Sequence, residues 1–113
     1  MSDVTTAADV GVAAKLFRGF ADPTRLAVLL ELLAGERRVV DLVETVGGSQ
    51  SNVSAHLACL KDCGLVTDRP QGRAVLYRLA TPQVVELLRQ AETLLGEVGH
   101  EVALCGNYRQ DGR

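Results

Sequence analysis

Two helical patterns meet at a pair of glycines, and this junction constrains the fold more than any other part of the 113-residue chain. Before it, residues 39–46 repeat apolar side chains at helical spacing, which predicts a short helix packed on a core. After it, Ser49 stands where a capping side chain is expected, and Gly64 suits the left-handed position that ends a helix. A short helix, a glycine turn and a second helix follow the plan of a helix-turn-helix unit.

The segments before and after this unit predict three further helices. Residues 7–20 form the first. Asp22-Pro23 opens the second, because Asp caps free backbone amides and Pro suits the first helical position, and Gly35 ends it. Thr81-Pro82 opens the last helix, whose apolar positions continue to Val98.

Two short β-type runs lie between the helix-turn-helix unit and the last helix. Leu65–Arg69 and Ala74–Leu79 are separated by the turn-forming residues 70–73, and this pattern predicts a hairpin. The expected fold is therefore mainly α with a small β-hairpin, a winged helix-turn-helix. We expect a single domain over residues 1–113, with flexible termini at about 1–8 and 100–113.

Composition sets the class of protein and its surroundings. The chain has no apolar run of membrane-spanning length and no N-terminal leader, which predicts a cytoplasmic protein without a membrane partner. Its three cysteines are an odd number, and a reducing compartment favours free or metal-binding thiols over disulfides. The net charge is −2, yet residues 36–78 carry six basic and five acidic side chains. This distribution permits nucleic-acid binding, since phosphates are neutralised by local cations.

A wheel of about 100° per residue divides the helix that follows Ser49 into three faces. Val53, Leu57 and Leu60 form a stripe expected to pack on the core. The candidate DNA-binding residues share a second, polar face: Gln50, Ser51, Ser54 and Lys61. Gln and Ser suit base edges, and Lys suits phosphates. The alternative is that the polar residues at the helix start serve only as caps.

The hairpin adds one further candidate for DNA contact. Arg73 lies at its expected tip and is our choice for a phosphate contact. Alternation along the second strand places Arg78 on the same side as Ala74 and Leu76, so that Arg78 can point elsewhere. The alternative is an ordinary solvated hairpin.

The third face of the helix carries two thiols. Cys59 and Cys63 stand at i and i+4, which places their Cβ atoms about 5–6 Å apart. Thiolates select soft ions, and the remaining thiol, Cys105, could be delivered by the C-terminal tail of the same chain or of a partner. Three thiolates without an obvious fourth ligand suit Cd(II), Pb(II) or As(III) better than four-coordinate Zn(II).

Other interpretations of these residues remain open. The cysteine pair could be two small buried hydrophobic residues. His56 could add a fourth ligand, although a histidine there is more often a hydrogen-bonded core residue. His100, near Cys105, is a weaker ligand candidate and more often solvated.

Several of these segments together resemble the ArsR/SmtB family of winged-helix metal-sensing repressors. The similarity covers about residues 10–98 and rests on Asp22-Pro23-Thr24-Arg25, residues 49–57, residues 60–66, Gln71-Gly72-Arg73 and Tyr77. The resemblance implies a homodimer built on the first and last helices. It also implies that the apo form binds a double-stranded inverted-repeat operator and that metal binding releases the operator.

The resemblance also bears on where the metal binds. The family's Cys-x-Cys site at the start of the third helix is absent, because residues 36–42 contain no thiol. The site on the last helix also looks absent, since that region offers only Glu92, Glu97 and His100. The cysteine spacing is instead similar to the cadmium- and lead-sensing CmtR branch, which implies that Cys59 and Cys63 of one protomer join Cys105 from the tail of the other.

The expected function is thus a metal-responsive repressor with Cd(II) or Pb(II) as inducer and Zn(II) or As(III) as possible ligands. An arsenite- or redox-responsive repressor using the same cysteines is the alternative. A thiol enzyme would need an activated cysteine with a base partner and a substrate pocket; His56 near Cys59 is the only hint of one, so we predict no catalytic residue. A winged helix that binds only proteins would lack the cations Lys61 and Arg73.

Overall fold

The computed structural model describes residues 6–104. Within that range the chain is mainly α-helical with a small antiparallel sheet, as predicted. The elements are α1 (Ala7–Phe20), α2 (Pro23–Glu31), a 3-10 turn (Leu32–Ala34), β1 (Arg37–Arg38), α3 (Val39–Val46), α4 (Gln50–Asp62), β2 (Val66–Gln71), β3 (Ala74–Leu79) and α5 (Gln83–Glu97).

Capping residues set the helix boundaries where the sequence predicted them. The Asp22 carboxylate accepts hydrogen bonds from the backbone N–H groups of Thr24 and Arg25 at 2.9 and 3.0 Å. The Ser49 hydroxyl accepts one from the N–H of Asn52 at 3.0 Å, which starts α4. Gly64 ends α4 with a φ of 81°. These contacts satisfy amides that the first turn of a helix leaves without a partner.

The hairpin differs from the prediction in two respects. It belongs to a three-stranded sheet in the order β1-β3-β2, because β1, which the sequence pattern did not reveal, pairs with β3. The turn is also shorter than the predicted four residues. Gln71 faces Ala74, so only Gly72 and Arg73 form the turn, and Gly72 has the positive φ of 62° that a two-residue turn with Gly first requires. Pro70 remains in the ladder because β2 is an edge strand.

One carboxylate ties the hairpin to the segment before β1. Both Glu36 oxygens accept hydrogen bonds from the Arg69 guanidinium at 2.8 Å, and a nitrogen of Arg78 lies 3.6 Å from the same carboxylate. The hydrogen bond from Arg69 lowers the pKa of Glu36, and the charge of Arg78 acts in the same direction. Glu36 therefore links both strands of the hairpin to the start of β1.

The core joins α2, α3 and α4 with buried residues of β2 and α5. The predicted stripe of α4 is confirmed, because Val53, Leu57 and Leu60 are completely buried. They pack in one cluster with Leu29 of α2 and Leu42 of α3, which are also completely buried. The helix-turn-helix unit is thus held rigidly on a shared apolar core.

The outer surfaces of α1 and α5 leave apolar side chains exposed. Phe17 on α1 is 59% exposed, Leu94 on α5 is 60% exposed, and Val98, which directly follows α5, is 61% exposed. Between the two helices lies an apolar cavity of about 450 Å³. None of the helices within residues 6–104 combines the length and the apolar character that crossing a membrane requires.

Candidate nucleic-acid interface and cysteine pair

The polar face of α4 is exposed, as the wheel predicted. Gln50, Ser51, Ser54 and Lys61 all lie on the surface, opposite the buried stripe. Lys61, however, forms an ion pair with Asp68 of β2, with the Lys61 Nζ atom 3.0 Å from the carboxylate. The polar face therefore begins with uncharged side chains. At its end, the positive charge of Lys61, the predicted phosphate contact, is partly neutralised by Asp68.

The start of α4 and the tip of the hairpin meet at one groove. Gln50 and Arg73 both line this groove of about 320 Å³. The full lining consists of Arg38, Val39, Val40, Gln50, Arg73, Ala74, Val75 and Tyr77. A candidate base-reading side chain and a candidate phosphate contact therefore open onto the same surface.

The three hairpin arginines have different roles. Arg69 and Arg78 pair with Glu36, whereas Arg73 makes no ion pair with any residue of the described range 6–104. Its exposed guanidinium at the turn is available to an anion. Arg73 is thus the hairpin arginine without an ion pair in the described range, and its contact with phosphate stays a prediction.

Arg38 is a surface cation that the sequence analysis did not select. Its guanidinium donates to the Asp41 carboxylate at 3.1 and 3.3 Å, and the side chain also lines the groove. The same carboxylate accepts a hydrogen bond from the backbone N–H of Arg38 at 3.1 Å at the start of α3. The adjacent pair Arg37-Arg38 just before a helix start is the signal that could have identified it.

Cys59 of α4 and Cys63, which directly follows the last residue of α4, lie on the third side of the helix, partly buried and free of disulfide bonding. The Cys63 thiol donates a weak hydrogen bond to the backbone carbonyl of Lys15 in α1 at 3.5 Å. Burial raises the pKa of Cys63, and the neighbouring Cys59 thiol raises it further. The two thiols therefore lie close enough to interact, on a different side of α4 from the polar face.

Helix α1 covers the end of α4 closely. The Lys15 ammonium lies 3.0 Å from the Asp62 carboxylate, which raises the pKa of Lys15. A Cβ atom built on Gly19 would lie 2.8 Å from Cδ1 of Leu65 and 3.6 Å from Sγ of Cys63. Glycine at this position permits the close approach of the two helices beside the thiol.

The cysteine pair lacks a third donor within the range that the structure describes. Residues 6–104 contain no group of three or more His, Cys, Asp or Glu side chains that could hold a metal ion. Cys105, the predicted third ligand, lies outside the described residues. Two soft thiols close together still fit a thiophilic ion, provided that a third ligand joins them.

The two histidines lie in different surroundings. His56 Nε2 lies 3.9 Å from the Asp22 carboxylate that caps α2, and its side chain is 19% exposed. His100 is exposed, and its backbone N–H donates to the carbonyl of Leu95 at 2.7 Å. A role of either ring as a metal ligand stays a prediction.

Comparisons with known proteins identify the family. A model described as "Bacterial regulatory protein, arsR family" matches residues 22–68. The probable mercury resistance operon repressor of Streptomyces lividans is 39% identical over 99 residues, which cover 88% of this chain and 79% of that protein. This chain belongs to the ArsR family. Its relatives are transcriptional regulators rather than enzymes.

Solved structures of this family share the fold. The homodimeric winged helix-turn-helix DNA-binding domain of a possible ArsR-family regulator from Mycobacterium bovis is 30% identical, with a TM-score of 0.75 over 86% of this chain and 92% of that chain. The cadmium metal-sensor CmtR of Mycobacterium tuberculosis is 43% identical, with a TM-score of 0.59 over 68% of this chain and 80% of that chain. The ArsR-family chain spans 64% of the full length of CmtR. The predicted winged helix-turn-helix is confirmed.

Proposed function

We propose that this ArsR-family protein is a metal-responsive repressor. The apo homodimer binds double-stranded operator DNA and releases it when a thiophilic ion, in the first place Cd(II) or Pb(II), binds the thiolates of Cys59, Cys63 and Cys105. One observation carries the proposal: the exposed polar face and the thiol pair occupy different sides of the same helix, α4.

The arrangement of α4 supports DNA binding. In a helix-turn-helix the second helix enters the major groove, and its early residues contact base edges. Gln50, Ser51 and Ser54 hold those positions, and Arg73 opens onto the same groove from the hairpin tip. Lys61 would exchange its ion pair with Asp68 for a phosphate.

The exposed apolar surface supports the homodimer. Phe17, Leu94 and Val98 are each more than half exposed. Phe17 and Leu94 also line the same apolar cavity, and exposed apolar side chains that lie together mark an interaction surface. The Mycobacterium bovis relative is a homodimer, and a dimer would place two α4 helices in successive major grooves about 34 Å apart.

The donor chemistry supports a soft ion. Cys59 and Cys63 supply two adjacent sulfur ligands, and soft sulfur ligands discriminate against Mg(II) and Ca(II). Among the relatives, one is named for mercury resistance and another for cadmium sensing. Hg(II) therefore joins Cd(II), Pb(II), Zn(II) and As(III) in the set of ions to compare.

The proposed response travels through the orientation of α4. The metal supplies bonds that hold Cys59, Cys63 and Cys105 together. Because Cys63 lies against α1 and the polar face lies elsewhere on α4, fixing the thiols sets the angle of the base-reading side without covering it. By linkage, the factor by which metal weakens operator binding equals the factor by which the operator weakens metal binding.

A titration of Cd(II) into the complex with the upstream operator tests the proposal. We expect release of DNA from the wild-type protein, and retention of DNA at the same Cd(II) concentration by Cys59→Ser and Cys63→Ser. Both variants keep the polar face, so their apo forms bind the operator like the wild type. Release that persists unchanged in both serine variants would disprove the site. Repeating the titration with each ion of the set ranks the inducers.

A second candidate uses the same cysteines in an arsenite- or redox-responsive repressor. The proximity of the Cys59 and Cys63 thiols favours it, since neighbouring thiols can be linked by an oxidant or by As(III). A mild thiol oxidant in the presence of a metal chelator distinguishes the candidates. Release of DNA under these conditions supports redox control, whereas retention excludes it; the titration with As(III) then separates an arsenite sensor from a cadmium or lead sensor.

A further inference from the structure

A small set of groups joins α1 to the end of α4, since α1 packs mainly on α2. The Lys15 ammonium lies 3.0 Å from the Asp62 carboxylate, and the Cys63 thiol donates to the backbone carbonyl of Lys15 at 3.5 Å. The side chains of the ion pair are 47% and 74% exposed, and a pair so exposed contributes little to stability. The thiol is partly buried, so it is the better protected of the two links.

The position of α4 relative to α1 decides how a dimer presents its two polar faces. Phe17 of α1 belongs to the exposed apolar surface of the proposed dimer interface, whereas Gln50 and Ser54 lie on the polar face of α4. Two α4 helices have to reach successive major grooves about 34 Å apart. A loose joint between α1 and α4 would have to become ordered when DNA binds, and this ordering lowers the affinity. A contact that holds the joint in advance therefore strengthens operator binding.

We propose that the Cys63 thiol positions α4 for DNA binding and that the link to α1 is lost when Cys63 becomes a metal ligand, an inference that rests on the proposed function. In the metal-free protein the thiol carries a proton and donates it to the Lys15 carbonyl. A Cys63 sulfur that ligates a metal ion is a thiolate, whose proton has passed to solvent. It has no hydrogen left to donate, and two acceptors then face each other. One sulfur atom thus cannot serve the link to α1 and the metal site at the same time.

The first test measures operator affinity without metal. Fluorescence anisotropy with labelled operator, in the presence of a metal chelator and a thiol reductant, compares the wild type with three variants. Cys63→Ala removes the donor and should bind the operator about two- to tenfold more weakly, the range that the loss of one hydrogen bond gives. Cys63→Ser keeps a hydroxyl donor and should stay close to the wild type. Cys59→Ala is the matched control, because within residues 6–104 the thiol that donates to α1 is that of Cys63.

Equal operator affinities of Cys63→Ala and Cys59→Ala overturn the inference. Sedimentation equilibrium and urea unfolding check that both alanine variants are folded dimers at the concentrations used. Because this comparison contains no metal, it decides the role of the thiol whether or not metal releases DNA from the wild type. A wild-type complex that no ion of the set dissociates instead removes the proposed function.

Gly19 provides a second test that leaves both thiols in place. A Cβ atom at this position would lie 3.6 Å from the Cys63 sulfur and 2.8 Å from Cδ1 of Leu65, so Gly19→Ala should widen the contact before any metal binds. We expect weaker metal-free operator binding and a smaller ratio between the operator affinities without and with Cd(II). Gly11→Ala, where nothing lies within 4 Å of the added Cβ, should keep the wild-type ratio. A wild-type ratio in Gly19→Ala contradicts the role of the contact.

Discussion

The thiol of Cys63 lies 3.5 Å from the backbone carbonyl oxygen of Lys15, and this contact joins the end of α4 to α1 across 48 residues of sequence. The ion pair between Lys15 and Asp62 reinforces it. Helix α1 carries part of the exposed apolar surface and α4 carries the exposed polar face. The contact therefore connects the proposed dimer interface directly to the proposed DNA-binding helix, beside a proposed metal ligand.

Gly19 allows this close approach, and Gly19→Ala should disturb it. The added Cβ would lie 2.8 Å from Cδ1 of the buried Leu65. Gly11 is the matched control in the same helix, because nothing lies within 4 Å of a Cβ added there. We expect Gly11→Ala to raise the free energy of unfolding by up to about 1 kcal/mol. Gly19→Ala should be about 1–3 kcal/mol less stable than that control in urea unfolding. Equal stability of the two variants would show that the contact beside Gly19 can widen without lowering the free energy of unfolding.

Two serines of the same region should respond differently to alanine. The Ser49 hydroxyl caps α4, so Ser49→Ala should lower the free energy of unfolding by about 1 kcal/mol. Ser54 is exposed on the polar face, and Ser54→Ala should change stability by less than about 0.5 kcal/mol while weakening operator binding. Urea unfolding and fluorescence anisotropy with labelled operator measure the two effects. Unaltered operator affinity in Ser54→Ala would remove that residue from the interface.

Variants of two hairpin arginines should distinguish a phosphate contact from an effect on the stability of the hairpin. Arg73→Met should reduce the slope of log binding constant against log salt by about 1 for each bound protomer. Arg69→Met is the control, since Arg69 pairs with Glu36 and should leave that slope unchanged while loosening the hairpin. Anisotropy at four or more salt concentrations gives both slopes. Equal slopes for Arg73→Met and the wild type would place the hairpin tip away from phosphate.

The exposed apolar surface should be needed for dimerisation. Leu94 is 60% exposed and lines the cavity between α1 and α5, so Leu94→Glu would bury a charge in the interface. We expect a monomer in sedimentation equilibrium and a large loss of operator affinity. Thr93→Glu places the same charge on the neighbouring exposed residue, which does not line the cavity, and should remain a dimer. A dimeric Leu94→Glu protein would locate the interface elsewhere.

The ion pairs of Glu36 predict that the free energy of unfolding depends on pH in the acid range. The Arg69 hydrogen bond lowers the pKa of Glu36 below its ordinary value of 4.5 in the folded protein. The stability that this group contributes is therefore complete above about 4.5 and is lost as the pH falls through the lowered pKa. Glu36→Gln should remove this part of the acid response, as followed by urea unfolding from pH 7 to pH 3. Glu44→Gln, an exposed carboxylate of α3 without an ion pair in the described range, should retain it.

Local signals explain why most of the fold could be predicted from the sequence. Asp22, Ser49 and Gly64 act on their immediate neighbours through caps and positive φ, so a pattern of a few residues determines where each helix begins or ends. The stripe of α4 follows from helical spacing alone. The same spacing placed the two cysteines together and away from the polar face.

Non-local pairing explains what could not be predicted. Strand β1 has only two residues, Arg37 and Arg38, and exists because β3 lies beside it, about 40 residues later in the chain. The buried Glu92 of α5 accepts a hydrogen bond from the backbone N–H of Leu104, which lies beyond the end of α5. Neither the two residues of β1 nor Glu92 belongs to a periodic sequence pattern that indicates its partner. These partners can be identified only in the folded structure.

The internal ion pairs of the central segment have a consequence for the search along a chromosome. Arg38, Lys61, Arg69 and Arg78 all pair with carboxylates of the same chain. A protein binds DNA of arbitrary sequence mainly through Lys and Arg side chains that replace the counterions on the phosphates. Because these four cations are already paired with carboxylates, the central segment has few cations left for this kind of binding. We expect little of the protein to be sequestered by the bulk of the genome. Most molecules would stay in free solution, where an incoming metal ion reaches them without first competing against DNA.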